Sequence, residues 1–223
     1  MPTKIRPAAV SPSAPSRRIP SQARAEQTIR VIFEATAQVL NEFGETALTT
    51  NRIAQRAGVS VGTLYQYFDS KEAIVMAMLA REREQCMGKL DLLLGDADAA
   101  SPDPRKSDPR LVLRAFIRFY LEAFGTGAPG RRPLVRLAWR LDSQQVLVQY
   151  LREASERIGS HIGRMQHPLL RAPSPATTFV LTRLLAGTVR SASLEDSPLL
   201  GTPEFEDAVV NACWGVMQAA DPR

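Results

Sequence analysis

The sequence is poor in the residues that most often carry out metal or nucleophilic chemistry. It has two histidines and two cysteines among 223 residues. The histidines, His161 and His167, have no cysteine or carboxylate beside them at the spacing of a metal site. Two cysteines are too few for a disulfide framework. Because the glycine-rich phosphate loop and the Gly-x-Ser-x-Gly motif are also missing, we expect a protein that is not an enzyme and needs no metal or cofactor.

Long apolar runs are missing as well. The chain has no stretch of roughly 18 consecutive apolar residues, the length that a membrane-spanning helix requires. Prolines interrupt the N-terminal segment, where a secretory signal would have an unbroken apolar run of about 7 to 15 residues. We therefore expect a cytoplasmic protein that does not contact a membrane. Hydrophobic residues still make up 44% of the chain, which suffices for a substantial core.

The excess positive charge lies in the N-terminal tail. Residues 1–24 contain five basic and no acidic residues, so the net charge of +5 arises there and residues 25–223 are neutral overall. The tail is rich in proline, serine and alanine and has no apolar run that could nucleate a core. This composition predicts that residues 1–21 are disordered.

The rest of the chain has the apolar spacing of three and four residues that predicts an all-α fold. About nine helices are expected: 22–43, a short helix ending at Gly58, 61–67, 70–94, 109–125, 134–141, 142–166, 174–194 and 203–219. Residues 95–110, dense in Asp, Pro and Ser, predict a linker. We divide the ordered chain into a small domain over 22–69 and a larger one over 70–223.

A glycine turn separates the second and third helices. Gly58 is expected to take the left-handed conformation that closes one helix, and Ser60 to cap the next. Two helices joined by such a turn form a helix-turn-helix, whose second helix enters the major groove of DNA. The same geometry also occurs in helical proteins that bind no DNA, so the pattern alone leaves both alternatives open.

The third helix has an unusual free face. At 100° per residue, Val61, Leu64 and Phe68 fall on one edge, which is expected to be buried. The free side holds Gly62, Thr63 and Gln66, with Tyr65 and Tyr67 on its flanks. Glycine permits close approach, and threonine and glutamine can hydrogen-bond to base edges. Ordinary exposed helices favour Lys and Glu at such positions, so this face indicates contact with DNA.

Residues 28–80 resemble the N-terminal domain of the tetracycline-repressor-like (TetR) family of bacterial transcription regulators. The shared pattern is "TT.RIA..AGVS.GTLY.YF..KE", preceded by a helix and a glycine, and it covers about a quarter of the chain. The resemblance implies a three-helix DNA-binding domain followed by a larger helical domain for ligand binding and dimerisation. Carried over position by position, it assigns to DNA the residues Thr50, Asn51, Val61, Gly62, Thr63, Tyr65, Gln66, Tyr67 and Lys71.

The resemblance also implies how such a protein works. A homodimer, paired through the helices at about 174–194 and 203–219, binds a pseudo-palindromic operator in double-stranded DNA, usually as a repressor, and a small-molecule ligand releases it. The aromatic-rich set expected to line the ligand pocket is Phe116, Phe119, Tyr120, Trp139, Tyr150 and Met165. Aromatic residues at helical spacing also fill ordinary cores, and that alternative stays open for each of them.

Two further hypotheses concern DNA. Arg17, Arg18 and Arg24 suggest a basic arm that reaches the minor groove or backbone beside the DNA-binding domain, and a solvated tail is the equal alternative. The second hypothesis concerns the whole chain: an architectural or non-specific DNA-binding protein without an effector is the alternative function.

Overall fold

The structure, a computed structural model, describes residues 19–96, 101–103, 107–126, 132–165 and 167–218. Nine α-helices account for most of this part of the chain, and they are α1 (Ile19–Phe43), α2 (Thr50–Ala57), α3 (Val61–Tyr65), α4 (Lys71–Gly95), α5 (Pro109–Leu121), α6 (Arg132–Leu141), α7 (Gln144–Met165), α8 (Pro175–Leu194) and α9 (Pro203–Met217). A turn of 3₁₀-helix (Glu45–Ala47) precedes α2, and a π-helical turn (Glu122–Thr126) extends α5. No strand occurs in these ranges, and the predicted all-α fold is confirmed.

Several boundaries differ from those predicted. α1 begins at Ile19, inside the segment 1–21 that was expected to be disordered, while residues 1–18, with Arg17 and Arg18, lie outside the described residues. α3 ends at Tyr65 instead of residue 67, because the Gln66 amide donates to both Gly62 and Thr63 carbonyls at 3.2 Å and tightens the last turn. Within the predicted linker 95–110, residues 97–100 and 104–106 also lie outside the described ranges.

Polar side chains mark where most helices begin. In each case a hydroxyl or carboxylate accepts a hydrogen bond from an amide of the first turn that has no partner inside the helix. The capping residues are Thr49, Ser60, Ser70, Asp108, Ser174 and Thr202. At the other end of α2, Gly58 has φ 68° and ψ 27°, a left-handed conformation that favours glycine. The predicted turn chemistry is therefore confirmed at both Gly58 and Ser60.

A small apolar core holds the N-terminal helices together. The fully buried side chains there include Ile32, Val39, Leu40, Leu48, Ile53, Leu64 and Ile74. Phe33 and Phe68 add a tilted ring contact with centroids 5.8 Å apart. Because Leu64 is the one α3 side chain classed as buried, this residue attaches α3 to the domain and orients its other faces.

α4 joins this core to the larger helical part. Its first turns bury Ile74 and Val75 beside the N-terminal helices, and its later turns bury Cys86, Met87 and Leu90. All of these side chains belong to one continuous hydrophobic cluster that extends to Met217. The predicted division at residue 69 therefore falls within a shared core, and α4 contributes side chains to both ends of it. In the described ranges, no helix has both the length and the apolar character needed to cross a bilayer.

Candidate DNA-binding surface and ligand cavity

The third helix presents the face that its sequence indicates. Leu64 is completely buried and Val61 is partly buried. Gly62, Tyr65 and Gln66 are exposed, whereas Thr63 and Tyr67 are half-buried at its sides. The inward position of Val61 makes it the member of the predicted DNA set that contributes to packing, because its side chain contacts the hydrophobic core.

Gly62 exposes the backbone of α3 to solvent. A Cβ atom built on this residue would meet only the Ser60 Oγ, at 3.8 Å, which is ordinary van der Waals contact. The interior of the protein therefore does not require glycine here. A glycine within a helix lowers the stability of the helix by roughly 0.5–1 kcal/mol relative to alanine. Because the interior does not explain this cost, we attribute the glycine to close approach of the α3 backbone by an outside molecule.

A pair of hydroxyls fixes the start of α3. The Ser60 Oγ accepts a hydrogen bond from the Thr63 amide at 2.9 Å and lies 2.8 Å from the Thr63 Oγ1. The Thr63 methyl and hydroxyl are consequently held in one orientation at the surface. A preformed orientation lowers the entropy that a side chain loses when it binds a base edge.

Two other predicted DNA contacts lie side by side. The Tyr65 hydroxyl is 3.1 Å from the Thr50 Oγ1, so the first turn of α2 and the last residue of α3 meet at the surface. Tyr65 is 50% exposed, and Asn51, next to Thr50, is exposed as well. These groups can hydrogen-bond to phosphate oxygens, which positions a protein on DNA without reading its sequence.

Lys71 supplies a cation at the start of α4. Its ammonium group is 3.9 Å from the Glu72 carboxylate, and 36% of its side chain is exposed. An exposed pair at this distance contributes little stability, so the lysine can turn to a phosphate at small cost. The structure thus places the predicted DNA residues around the surface of α3, with Val61 and Tyr67 partly buried against the hydrophobic core.

The neighbouring arginines of α2 have structural partners. The Arg52 guanidinium lies 5.0 Å from the centre of the Phe43 ring and donates to the Ala47 carbonyl at 3.2 Å. Arg56 forms an ion pair with Glu42 and also faces the Phe43 ring. Both side chains hold α2 against the end of α1.

An apolar cavity lies among α4, α5, α7, α8 and α9. It encloses about 850 Å³ not occupied by atoms, part of it open to solvent. Its walls are mostly aliphatic, and examples are Met87, Leu90, Leu113, Ile158, Ile162 and Leu185. Sequence reasoning missed these residues because a side chain that faces a cavity has the same helical period as one that faces packed core.

Four of the six predicted pocket residues line this cavity: Phe116, Tyr120, Tyr150 and Met165. Phe119 and Trp139 do not, and both predictions are corrected. Phe119 packs partly buried against the core on another side of α5. Trp139 is 1% exposed, donates its indole N–H to the Phe124 carbonyl at 3.2 Å, and contacts the Phe124 ring at 5.8 Å. Its role is to pack α6 against the end of α5.

Polar groups cluster at one side of the cavity. Arg83 and Asp142 form a bidentate pair at 2.5 and 3.1 Å, and their side chains are only 7% and 0% exposed. The Arg83 guanidinium also lies 5.3 Å from the centre of the Tyr150 ring. Burial raises the pKa of Cys86 to about 11, and it raises the pKa values of Tyr120 and Tyr150 above the usual tyrosine range. These thiol and phenol groups are neutral at pH 7.

Sequence comparison identifies the N-terminal part of the chain. Residues 32–78 match the family described as bacterial regulatory proteins, tetR family. Over these residues the chain is similar to the TetR family. The matched segment runs from the middle of α1 to the first turns of α4 and includes the whole helix-turn-helix. The resemblance seen in the sequence is thereby confirmed.

Characterised relatives of this TetR domain are transcription regulators. One is the HTH-type transcriptional repressor KstR of Mycolicibacterium smegmatis, 38% identical over 71 residues, which are 32% of this chain and 34% of that protein. Another is the A-factor receptor protein of Streptomyces griseus, 45% identical over 58 residues, which are 26% of this chain and 21% of that protein. The chain therefore aligns with about a third or less of the length of these relatives.

Solved TetR structures share the fold over most of the chain. SmeT, the repressor of a multidrug efflux pump of Stenotrophomonas maltophilia, matches with a TM-score of 0.59 and 18% identity over 87% of this chain and 94% of SmeT. The fatty acid degradation regulator FadR of Bacillus halodurans matches with a TM-score of 0.58 and 19% identity over 84% of this chain and 95% of FadR. The larger helical part thus has the fold found in TetR regulators.

Proposed function

We propose that this protein is a transcriptional repressor that binds a pseudo-palindromic operator as a homodimer in the cytoplasm and is released by a small-molecule ligand. The observation that carries this proposal is the geometry of α3. Leu64 packs in the core of the N-terminal helices, and Gly62 and Gln66 are exposed beside Thr63. Such a face fits the major groove, where amides and hydroxyls distinguish base pairs. Named repressors among the relatives support repression as the outcome.

The proposed contacts fall into two groups. Thr63 and Gln66 read base edges, and the backbone at Gly62 approaches the groove floor. Thr50, Tyr65 and Lys71 hold phosphates on either side, as Asn51 and Tyr67 do at the margins of the same surface. The first group gives sequence preference, whereas the second gives salt-dependent affinity.

Removing one residue of each group should produce two different results. We expect Gln66→Ala to weaken the free energy of binding to the preferred duplex by about 1–3 kcal/mol and to relax selectivity at one base position. Lys71→Ala should weaken all duplexes to a similar degree and lower the slope of log K against log salt by about 1. Selection of duplexes from random sequence, followed by binding titrations over a range of salt concentrations, measures both effects.

The exposed glutamine of α7, Gln149, provides a matched control. Gln149→Ala removes the same amide on a helix far along the chain and should leave DNA affinity unchanged. If the wild-type protein binds selected and random duplexes equally at physiological salt, it is an architectural or non-specific DNA-binding protein and the proposed operator-specific function is wrong. Arg24, exposed on α1, remains a hypothetical contact together with the tail.

The outer faces of α8 and α9 support the proposed dimer. In the two helices predicted to form the interface, Leu181, Leu185 and Val209 are buried in the subunit itself. Many exposed positions of these helices are small or apolar, and they are Phe179, Val180, Gly187, Thr188, Ser191, Ala208, Ala212 and Gly215. The polar residues Glu204, Asp207 and Asn211 of α9 are exposed as well. A Cβ on Gly187 or Gly215 would meet nothing within 4 Å. Glycines in exposed helices with free space beside them allow a second copy to approach closely.

A large charge on this face should separate the subunits. We expect Ala212→Arg to raise the dimer dissociation constant about tenfold or more, since a guanidinium buried at the interface loses hydration without a partner. Sedimentation velocity over a range of protein concentrations measures the change. Ala80→Arg, at an exposed position of α4, is the matched control and should leave assembly as it is. Unchanged assembly of the Ala212 variant would place the interface elsewhere.

Two contacts of α6 can carry a ligand signal to the DNA-binding part. Arg140 pairs with Glu45 in the turn before α2, and Asp142, just after α6, pairs with Arg83 of α4. Rings connect α6 to the cavity, because Tyr120 contacts Phe124 at 4.6 Å and Phe124 contacts Trp139. We propose that a bound ligand shifts α4 and α6 together and changes the separation of the two recognition helices. Weakening operator binding about 100-fold takes roughly 2.7 kcal/mol of differential ligand binding.

A further inference from the structure

The side chains of the cavity walls determine the polarity of most of a ligand that fits there. The walls are built from leucine, isoleucine, valine and methionine side chains, with a few aromatic rings. Such a surface binds an apolar ligand most favourably, because binding removes the apolar surfaces of both the cavity and the ligand from water. The space of about 850 Å³, part of it open to solvent, limits the ligand to a small molecule.

One polar atom in the wall has no partner. Tyr120 lines the cavity and is 3% exposed, and its hydroxyl makes no hydrogen bond with the part of the chain that the structure describes. Buried hydroxyls are normally hydrogen-bonded, because an unpaired one retains the full cost of losing water. The tyrosine hydroxyl is therefore a donor available to a ligand.

Most neighbouring polar groups are paired or neutral, although the Nε of Arg83 also has no hydrogen-bond partner among the described residues. Tyr150, which also lines the cavity, shares a hydrogen bond with the Cys86 thiol. The positive charge of Arg83 is matched by Asp142 in the bidentate pair. The side of the cavity near Tyr120 thus contains no uncompensated cation among the groups that interact with it, which are Cys86, Arg83 and Asp142.

We infer that the ligand is a small, mainly apolar molecule with one uncharged hydrogen-bond acceptor, such as a ketone, ester or hydroxyl oxygen, bound by the Tyr120 hydroxyl. A carboxylate is disfavoured, since the charge of Arg83 is already neutralised and a second anion would be buried without a partner. The inference rests on the proposed function only in assigning the effector to this cavity.

Four ten-carbon probes test the ligand class: decanol, methyl octyl ketone, decanoate and decane. Affinities are obtained from the shift in Tm at matched free concentrations, because a ligand that binds only the native state raises Tm. Decanol and the ketone should bind more tightly than decane by about two- to tenfold, the range of a neutral hydrogen bond. Decanoate at pH 7 should bind more weakly than either.

Tyr120→Phe tests the anchoring residue. This variant should lower the affinity for decanol and the ketone to that for decane while leaving decane binding unchanged. The unliganded variant should be at least as stable as the wild type, because the substitution removes an unpaired buried hydroxyl. Tyr67→Phe, the same change in the N-terminal domain, is the matched control and should leave all four affinities unchanged.

Each contrary result overturns the inference. Tightest binding of decanoate would show that the site accepts an anion. Equal affinity of the Tyr120 variant for decanol would show that its hydroxyl is not the anchor, and failure of all four probes to raise Tm would show that the cavity does not accept such molecules. None of these results concerns duplex binding by Gln66 and Lys71, so failure here is distinguishable from failure of the proposed function.

Discussion

Replacing Gly62 with leucine is expected to weaken binding to a selected duplex about a hundredfold or more, which corresponds to at least roughly 2.7 kcal/mol. The added side chain occupies the space at which the groove must approach the α3 backbone. The fold has room for it, because the nearest atom to a Cβ at this position is 3.8 Å away. Binding titrations with the duplex selected by the wild-type protein measure the loss.

Gly88→Leu is the matched control for this substitution. Gly88 lies exposed on α4, and a Cβ there meets nothing within 4 Å. Both variants should unfold at a Tm equal to or above that of the wild type, since each replaces a helical glycine by a better helix former. Retained DNA affinity in the Gly62 variant would show that α3 does not enter a groove at this residue.

Replacing Asp142 with asparagine is expected to lower the free energy of unfolding by about 3–5 kcal/mol, the range found when one partner of a buried ion pair is removed. The substitution leaves the Arg83 guanidinium charged in a site where its side chain is 7% exposed. Asparagine has nearly the same shape, so the effect reports the lost charge pairing instead of a cavity. Equilibrium urea unfolding at pH 7 measures it.

Two further variants separate burial from pairing. Asp196→Asn breaks the exposed ion pair between Asp196 and Arg136, in which the nitrogen and oxygen atoms are 3.0 Å apart. This change should lower the free energy of unfolding by less than about 1 kcal/mol. Replacing Arg83 by methionine and Asp142 by leucine together should recover most of the stability, because no buried charge is left unpaired. Equal losses for the two asparagine variants would contradict the structural role of the buried pair.

The helix-turn-helix was predictable because its determinants are local. Gly58 needs its left-handed conformation for the turn, Ser60 needs only the amide three residues ahead, and Leu64 is placed by the helical period. The exposure of Gly62 and Gln66 follows from the same period. The pairing of Thr50 with Tyr65 was not predictable, since it depends on the angle between two helices.

The apolar cavity, in contrast, could not be predicted from the sequence. Phe116 and Phe119 lie three residues apart on one helix, yet only Phe116 lines the cavity. Trp139 has the size and chemistry of a pocket residue, but its ring packs against Phe124. Helical spacing gives the side of a helix that faces inward, whereas the distance left between facing helices decides whether that side meets another side chain or a cavity.

The amino-acid sequence by itself determined the all-α class, the turn at Gly58 and the polar face of α3, because each depends on the residues of one or two adjacent helical turns. Only the tertiary structure decided that Tyr120 is left without a hydrogen-bond partner among the described residues and that Arg83 and Asp142, 59 positions apart, form a buried pair. Such features depend on how distant helices pack, which local periodicity does not specify.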